Sequence, residues 1–320
     1  MRRYCTLFDR NYLARGLALH RSLMRHGGDF TLHVLCLDES VRKALCVLDL
    51  PRLEPIPMQA LEDWDSELHA ARSSRGLVEF YFTCKPSLLA FLLKRGTGFE
   101  RLAYLDSDLF FFSDAALVEQ ECADSPLALT PHRFSARNSH LRRFGLFNAG
   151  WVRVGNNAEA WRFVSWWRDR CMEWCRIAVE DTRYGDQKYL DQVPGLFPGT
   201  KIVLHPGVNA GPWNLDPRRV ELSAGAVLIE RSPLVFFHFH LLRRILLGLY
   251  DSGLYEYGVE ITPAIRRGIY QPYLAELADC ERQLRRLPDI GQHYPRDSAL
   301  RRLAQTARAL AHQSTVSAAS

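Results

Sequence analysis

The chain has 320 residues, 47% of them hydrophobic, and a formal net charge of +5. That length and composition bury a large core in one α/β body and exclude a wholly disordered chain. The basic residues are spread along the chain without a recognisable binding module, which argues against nucleic acid as a partner. In chain order, residues 4–8 read as a strand, 12–26 as a helix closed by Gly27-Gly28, and 31–37 as a second strand. A helix over 41–48 follows, then a short strand over 53–57, a helix over 88–94, and a strand over 101–105. This alternation predicts a mostly parallel sheet flanked by helices, with ligands beyond the carboxyl ends of its strands, so Asp9 and Asp106 border one crevice.

No stretch reads as a bilayer span, and Arg2-Arg3 has no apolar run behind it, so neither a signal peptide nor an anchor is expected. The eight cysteines form no Cys-x-x-Cys pair. Reduced, buried thiols are therefore expected, and with them a cytoplasmic setting. Cys171 and Cys175 share a helix face but lack further ligands for zinc.

The strand over 101–105 runs into Asp106-Ser107-Asp108. Residues i and i+2 of an extended segment face the same way, so both carboxylates can meet one small hard cation. Trp151, Trp161, Trp166, Trp167 and Trp174 crowd one region, where aromatic faces can stack on sugars, but most of them read as core. The loop 205–214 is a better acceptor site, because its Gly and Pro residues fix Trp213 and Asn214. His132 and Arg133 follow a strand ending at Thr130-Pro131 and line the same cleft. Toward the end, Arg266-Arg267, Arg282, Arg285-Arg286 and Arg301-Arg302 accompany Leu and Ala at helical spacing. They form either a solvated helix face or a surface for anionic lipid or an anionic acceptor, the latter giving peripheral contact at the inner membrane face. Residues 314–320 are small and polar and read as a frayed tail.

Four short segments, taken in order, resemble one family, and the Asp-x-Asp resembles its wider class. Asp106-Ser107-Asp108 resembles the metal-binding Asp-x-Asp of the GT-A glycosyltransferases. Phe8-Asp9-Arg10-Asn11-Tyr12, Phe147-Asn148-Ala149-Gly150, Gly185-Asp186-Gln187 with Leu190, and His238-Phe239-His240 resemble the retaining, family 8-like members of the glycogenin and galactosyltransferase type. The resemblance implies a GT-A fold with a mostly parallel central sheet, over residues 1–250. Its nucleotide-sugar half is 1–115 and its acceptor half 116–250; a helical C-terminal extension over 251–313 and a disordered tail over 314–320 follow.

It also implies roles. Phe8, Asp9, Asn11 and Tyr12 hold the nucleobase and ribose of a UDP-sugar; Asp106 and Asp108, with Ser107 between them, and His238 hold Mn2+ or Mg2+; Asn148 and Ala149 meet the donor sugar. His240 is the rival ligand if the strand continues, and a satisfied histidine on an apolar strand is the competing reading of His238. A histidine ligand favours manganese. Asp186 contacts sugar hydroxyls and Gln187 lies near the anomeric carbon, which implies front-face substitution with retention, the departing phosphate oxygen taking the acceptor proton. A carboxylate relay through Asp186 is the minority alternative.

The chain departs from the pattern at several positions. Arg244 stands where the family has a diphosphate-binding Lys, Leu241 stands for a Gly, and Lys85 stands for an Arg that touches diphosphate and aspartates; the family's Lys-Pro-Trp is missing. Arginine can hold phosphate oxygens bidentately, so that function can survive the change. Two other classes compete. A sugar-phosphate nucleotidyltransferase needs a Gly-rich basic loop that residues 8–11 do not supply. A non-catalytic nucleotide-sugar-binding protein has no need of Asp106, Asp108, Asn148, Asp186 and Gln187 together.

Overall fold

The computed structural model of the protein describes residues 2–95, 100–216, 218–246, 248–287, 306 and 309–318. Strand β1 (Arg2–Phe8) pairs in parallel with β2 (Phe30–Cys36), from Arg2 opposite Phe30 to Phe8 opposite Cys36. Between them runs helix α1 (Leu13–His26), which buries Leu13, Leu17 and Leu23 at helical spacing. Gly16, without a side chain, lets the Phe8 ring lie against the helix. Helix α2 (Glu39–Leu48) starts at Asp38, whose carboxylate accepts from the Val41 amide, and leads to β3 (Leu53–Pro57), parallel to β2.

Helices α3 (Met58–Trp64), α4 (Ser66–Ala71) and α5 (Leu77–Arg95) precede β4 (Arg101–Leu105), which is parallel to β1. Helix α5 starts at Leu77 rather than Leu88, because Pro86, a stop signal in sequence, sits inside it. The buried side chains of Phe80, Cys84 and Leu88 carry the helix through that interruption.

After β5 (Leu109–Phe111) and α6 (Ala116–Glu121) come β6 (Leu127–Pro131), β7 (Phe147–Gly155), α7 (Ala158–Glu173), α8 (Val193–Leu196) and β8 (Thr200–Ile202). The seven-stranded sheet has the order β3-β2-β1-β4-β7-β6-β8. Only β7 runs against its neighbours, so the sheet is mostly parallel, as the alternation predicts. Alternate side chains of β1 enter different cores: Tyr4 and Phe8 pack with α1, Cys5 and Leu7 with α5 and α7. Trp151 and Trp167 are fully buried, and Trp161, Trp166 and Trp174 pack against the second core, in agreement with the core reading. All eight cysteines are free thiols, seven of them buried.

Strands β9 (Val220–Ser223), β10 (Ala226–Ile229) and β11 (Ser232–Pro233) form a small meander, and β12 (Phe236–His238) pairs antiparallel with β5. Strands β13 (Arg243–Leu246) and β14 (Leu249–Asp251) form a hairpin, followed by α9 (Pro263–Ile265) and α10 (Gln271–Leu284). The expected frayed tail instead supplies β15 (Thr315–Ser317), antiparallel to β14. Backbone pairing does not require apolar composition, and the small Ser314 fits at the junction, where its hydroxyl donates to Asp251 at 2.6 Å. The segment 251–313 is accordingly not wholly helical, and Arg301-Arg302 lie outside the described residues. Among the described residues no helix is long and apolar enough to cross a membrane.

Candidate active site

Because β7 runs antiparallel to β4, its first residues face the carboxyl end of β4: Trp151 pairs with Leu105, and the Asp106 amide donates to the Gly150 carbonyl at 2.8 Å. On its other side β7 bulges. Leu129 pairs with Val152 and Thr130 with Asn148, so residues 149–151 have no counterpart on β6. The ribbon of β5 and β12 sets His238 opposite Leu109, directly beside Asp108.

Three ligand atoms converge at this junction. One oxygen each of Asp106 and Asp108 and one nitrogen of His238 lie within 4.8 Å of one another. His238 Nε2 is 3.0 Å from Asp108 Oδ1 and 3.8 Å from Asp106 Oδ2. The outer oxygens are already engaged: Tyr104 donates to Asp106 Oδ1 at 2.9 Å, Lys85 reaches it at 3.0 Å, and Arg15 lies 3.5 Å from Asp108 Oδ2. A Cβ on Gly150 would come within 2.8 Å of Asp106 Oδ2 and 2.7 Å of His238 Cε1. The glycine keeps this pocket clear, and two carboxylates with one imidazole suit a small divalent cation such as manganese or magnesium. Burial opposes ionisation of Asp108, but His238 and then Arg15 outweigh it and hold its carboxyl well below the usual range. Burial likewise lowers the His238 pKa, and Asp108 more than reverses this. Strand β12 ends at His238; His240 lies 6.1 Å from His238 ring to ring, outside the group of three ligand atoms, and packs on Trp213 and Tyr257.

Lys85 is buried beside the aspartates. It is 5% exposed, with its ammonium 3.0 Å from Asp106 and 3.3 Å from Asp186. Burial works against its charge, yet the two carboxylates prevail and raise its pKa. Asp186 is buried too, and desolvation pushes its carboxyl up. Asp186 and Gln187 precede a short, tight helix over Lys188–Gln192 that runs directly into α8.

Gln187 underpins the bulge: its Oε1 accepts from the Ala149 amide at 3.3 Å and from Asn148 Nδ2 at 3.4 Å, and its Nε2 donates to the Phe144 carbonyl at 3.0 Å. Asn148 Oδ1 accepts from the Gly150 amide and from Asn209 Nδ2, and its Nδ2 donates to His132 Nε2 at 3.2 Å.

Asp9, Asn11 and Tyr12 stand together at the rim. Asp9 accepts from the Asn11 amide at 2.9 Å and side chain at 3.0 Å, and Tyr12 is 42% exposed. Phe8 keeps its ring in the core, and Ser107 is buried between the two aspartates. Arg244 pairs with Glu281 of α10 at 3.0 Å. Trp213 is 3% exposed, meets the His238 ring edge-on at 5.2 Å, and its Nε1 has no hydrogen-bond partner among the described residues. Asn214 is engaged within the protein, donating to the Asn209 carbonyl of its own loop and to the His132 carbonyl beyond β6. Arg133 donates to the carbonyls of His205 and Val208, so its guanidinium fixes that loop from within. Sequence reasoning missed Arg15, Tyr104 and Asn209, which steady the carboxylates and the asparagine; none of them carries a local pattern that sets it apart.

The sheet order, the antiparallel β7 and the ribbon that brings His238 to the Asp-x-Asp define a GT-A fold. An active-site mutant of LgtC shares it with a TM-score of 0.52 at 16% identity, over 90% of this chain and 98% of that one. A second structure, galactosyltransferase LgtC with donor and acceptor sugar analogs, matches at TM-score 0.48 and 17% identity over 74% of this chain and 87% of that one. No family model matches. The chain belongs to the family of YfnD, an uncharacterized protein of Bacillus subtilis (strain 168), with 34% identity over 277 residues, 86% of this chain and 88% of that protein. YfnF of the same organism, also uncharacterized, is 31% identical over 74% of this chain and 80% of its own length.

Proposed function

We propose that the protein is a divalent-metal-dependent glycosyltransferase that moves a sugar from a UDP-sugar to a glycan or glycoconjugate acceptor with retention of anomeric configuration. The observation that carries this reading is the convergence of Asp106, Asp108 and His238 on a pocket kept open by Gly150, one lysine away from Asp186. A bound cation would supply charge to neutralise the diphosphate as the glycosidic bond breaks. Asp9, Asn11 and Tyr12 at the rim suit a nucleoside, with Tyr12 offering an exposed ring.

Lys85 holds Asp186 Oδ2 and so orients that carboxylate toward sugar hydroxyls while reducing its nucleophilicity. Gln187, committed to the bulge on both amide ends, offers no nucleophile. We therefore favour front-face substitution: the acceptor oxygen bonds to the anomeric carbon as the diphosphate departs, and a departing phosphate oxygen takes the acceptor proton. Trp213, edge-on to His238, marks the loop 205–214 as the acceptor side of the cleft. Contact of the arginine-rich segment with anionic lipid has a narrower basis, since Arg282 pairs with Asp279 and Arg266 donates to the Thr315 carbonyl. Flotation with anionic vesicles tests it.

The deciding experiment is thermal stabilisation by UDP, GDP, CDP and ADP, each with and without manganese, on wild type and Asp108→Ala. A manganese-dependent shift for UDP that vanishes in the variant is expected. No shift with any nucleotide would overturn the reading. A glycosyl adduct trapped on Asp186 of the wild type, together with an inactive Asp186→Asn, would replace front-face substitution by a carboxylate relay; Asp186→Asn that keeps much of its activity excludes the relay.

A further inference from the structure

Arg15 sits on the first turn of α1 and joins two parts of the cleft that the chain keeps far apart in sequence. Its Nη1 lies 3.5 Å from Asp108 Oδ2, and its Nη2 donates to the Leu242 carbonyl at 2.5 Å. The guanidinium also rests on the Tyr12 ring, 4.7 Å from its centroid, and this planar support narrows the orientations open to it. His238 holds the other oxygen of the same carboxylate, Asp108 Oδ1, at 3.0 Å. Arg15 and His238 thus grip Asp108 from opposite sides. Leu242 lies just beyond His238, after Leu241 turns the chain with a φ of 63°, so the arginine ties the aspartate to the exit of the histidine's own strand.

We propose that Arg15 is a positioning residue that fixes Asp108 and the His238 segment relative to one another and thereby sets the geometry and affinity of the divalent-cation site. The inference rests on the metal-site reading above. Charge and positioning predict opposite signs here. Arg15 is a cation beside a cation site, so through-space repulsion alone makes its removal tighten metal binding. A positioning role makes its removal weaken binding, because the carboxylate is free to turn its oxygens away.

The test uses the full chain without nucleotide. Manganese affinity and the electron paramagnetic resonance spectrum of bound Mn2+ are measured for wild type, Arg15→Met and Arg15→Lys, with circular dichroism to verify folding. Arg15→Met is expected to bind manganese about 10-fold more weakly or worse and to give an altered spectrum. Arg15→Lys, which keeps the charge but not the planar fork, is expected to recover part of that loss. If Arg15→Met does not fold, Arg15→Lys decides alone: weaker binding supports the proposal and wild-type binding overturns it. Unchanged or tighter manganese binding in Arg15→Met overturns it. A wild type that binds no manganese overturns the metal-site reading itself.

Discussion

Lys85 carries an ammonium into the interior because two carboxylates receive it, and each member of the Asp106–Lys85–Asp186 group would be costly to bury alone. His132 solves the same problem by staying neutral. Its imidazole is 5% exposed, Nε2 accepts from Asn148, and burial pushes its pKa down to about 3. In the unfolded chain the same group titrates near ~6.5. Between those values the unfolded chain holds a proton that the folded one does not, so stability rises with pH across this window and is lost as pH falls from its upper end. One such group contributes a slope of about 1.4 kcal/mol per pH unit. His240, pushed down to about 4 by burial and by His238, acts in the same direction. The readout is therefore the difference between wild type and His132→Gln, which keeps an acceptor for Asn148. Urea unfolding at about pH 7 and about pH 5 should show a smaller loss in the variant. Parallel losses would mean that His132 is protonated in the folded protein.

At the scale of elements, the bulge in β7 decides which groups reach the cleft. Opposite β4 the strand keeps its register through Trp151, while opposite β6 it loses three residues, and this turns Asn148 back toward Gln187 and His132. Gly150→Ala would set a Cβ 2.7 Å from Asn148 Oδ1 and 2.8 Å from Asp106 Oδ2. The expected outcome is a folded protein, destabilised by about 1–3 kcal/mol, whose manganese-dependent stabilisation by UDP is lost. A metal-dependent shift equal to wild type would show that the pocket has room to spare.

The bulge also marks the limit of what was legible in the sequence. Strands β3 and β4 lie where their patterns predict, because short apolar runs bounded by turn residues have one natural register. Phe147-Asn148-Ala149-Gly150 reads as plain strand, since nothing local marks a bulge formed by a difference between two partners. Pro86 hides the first half of α5 for a related reason: burial on a face that the local pattern does not display overrides it. The Asp-x-Asp and His238 were visible as motifs, but Arg15 was not, because an arginine on an amphipathic helix looks like solvent-facing charge until its distant partner is known. Arg133 misleads in the other direction, being polar beside the cleft yet bound to backbone carbonyls of the loop it was expected to complement.

Across the whole molecule, the last residues close over the first helix. Glu276 of α10 pairs with Arg21 and Arg25 of α1 at 2.7 Å each, and Glu281 joins Arg244 of β13 to Tyr250 of β14. Strand β15 completes this assembly: its Val316 is 1% exposed, and the Thr315 carbonyl accepts from Arg266. Deleting residues 314–320 would expose the edge of β14, remove Val316 from the core and leave Asp251 Oδ1 with only the Gly253 amide as donor among the described residues. Loss of one buried valine and a few hydrogen bonds predicts a destabilisation of about 2–4 kcal/mol, read as a lower urea midpoint. Ser314→Ala isolates the buried hydroxyl-to-carboxylate bond and should cost about 1–2 kcal/mol of that. If the deletion left the midpoint unchanged, β15 would be an ornament on the hairpin. A lowered midpoint instead makes the C-terminal segment part of the same cooperative unit as α1, the helix that presents Arg15 to Asp108.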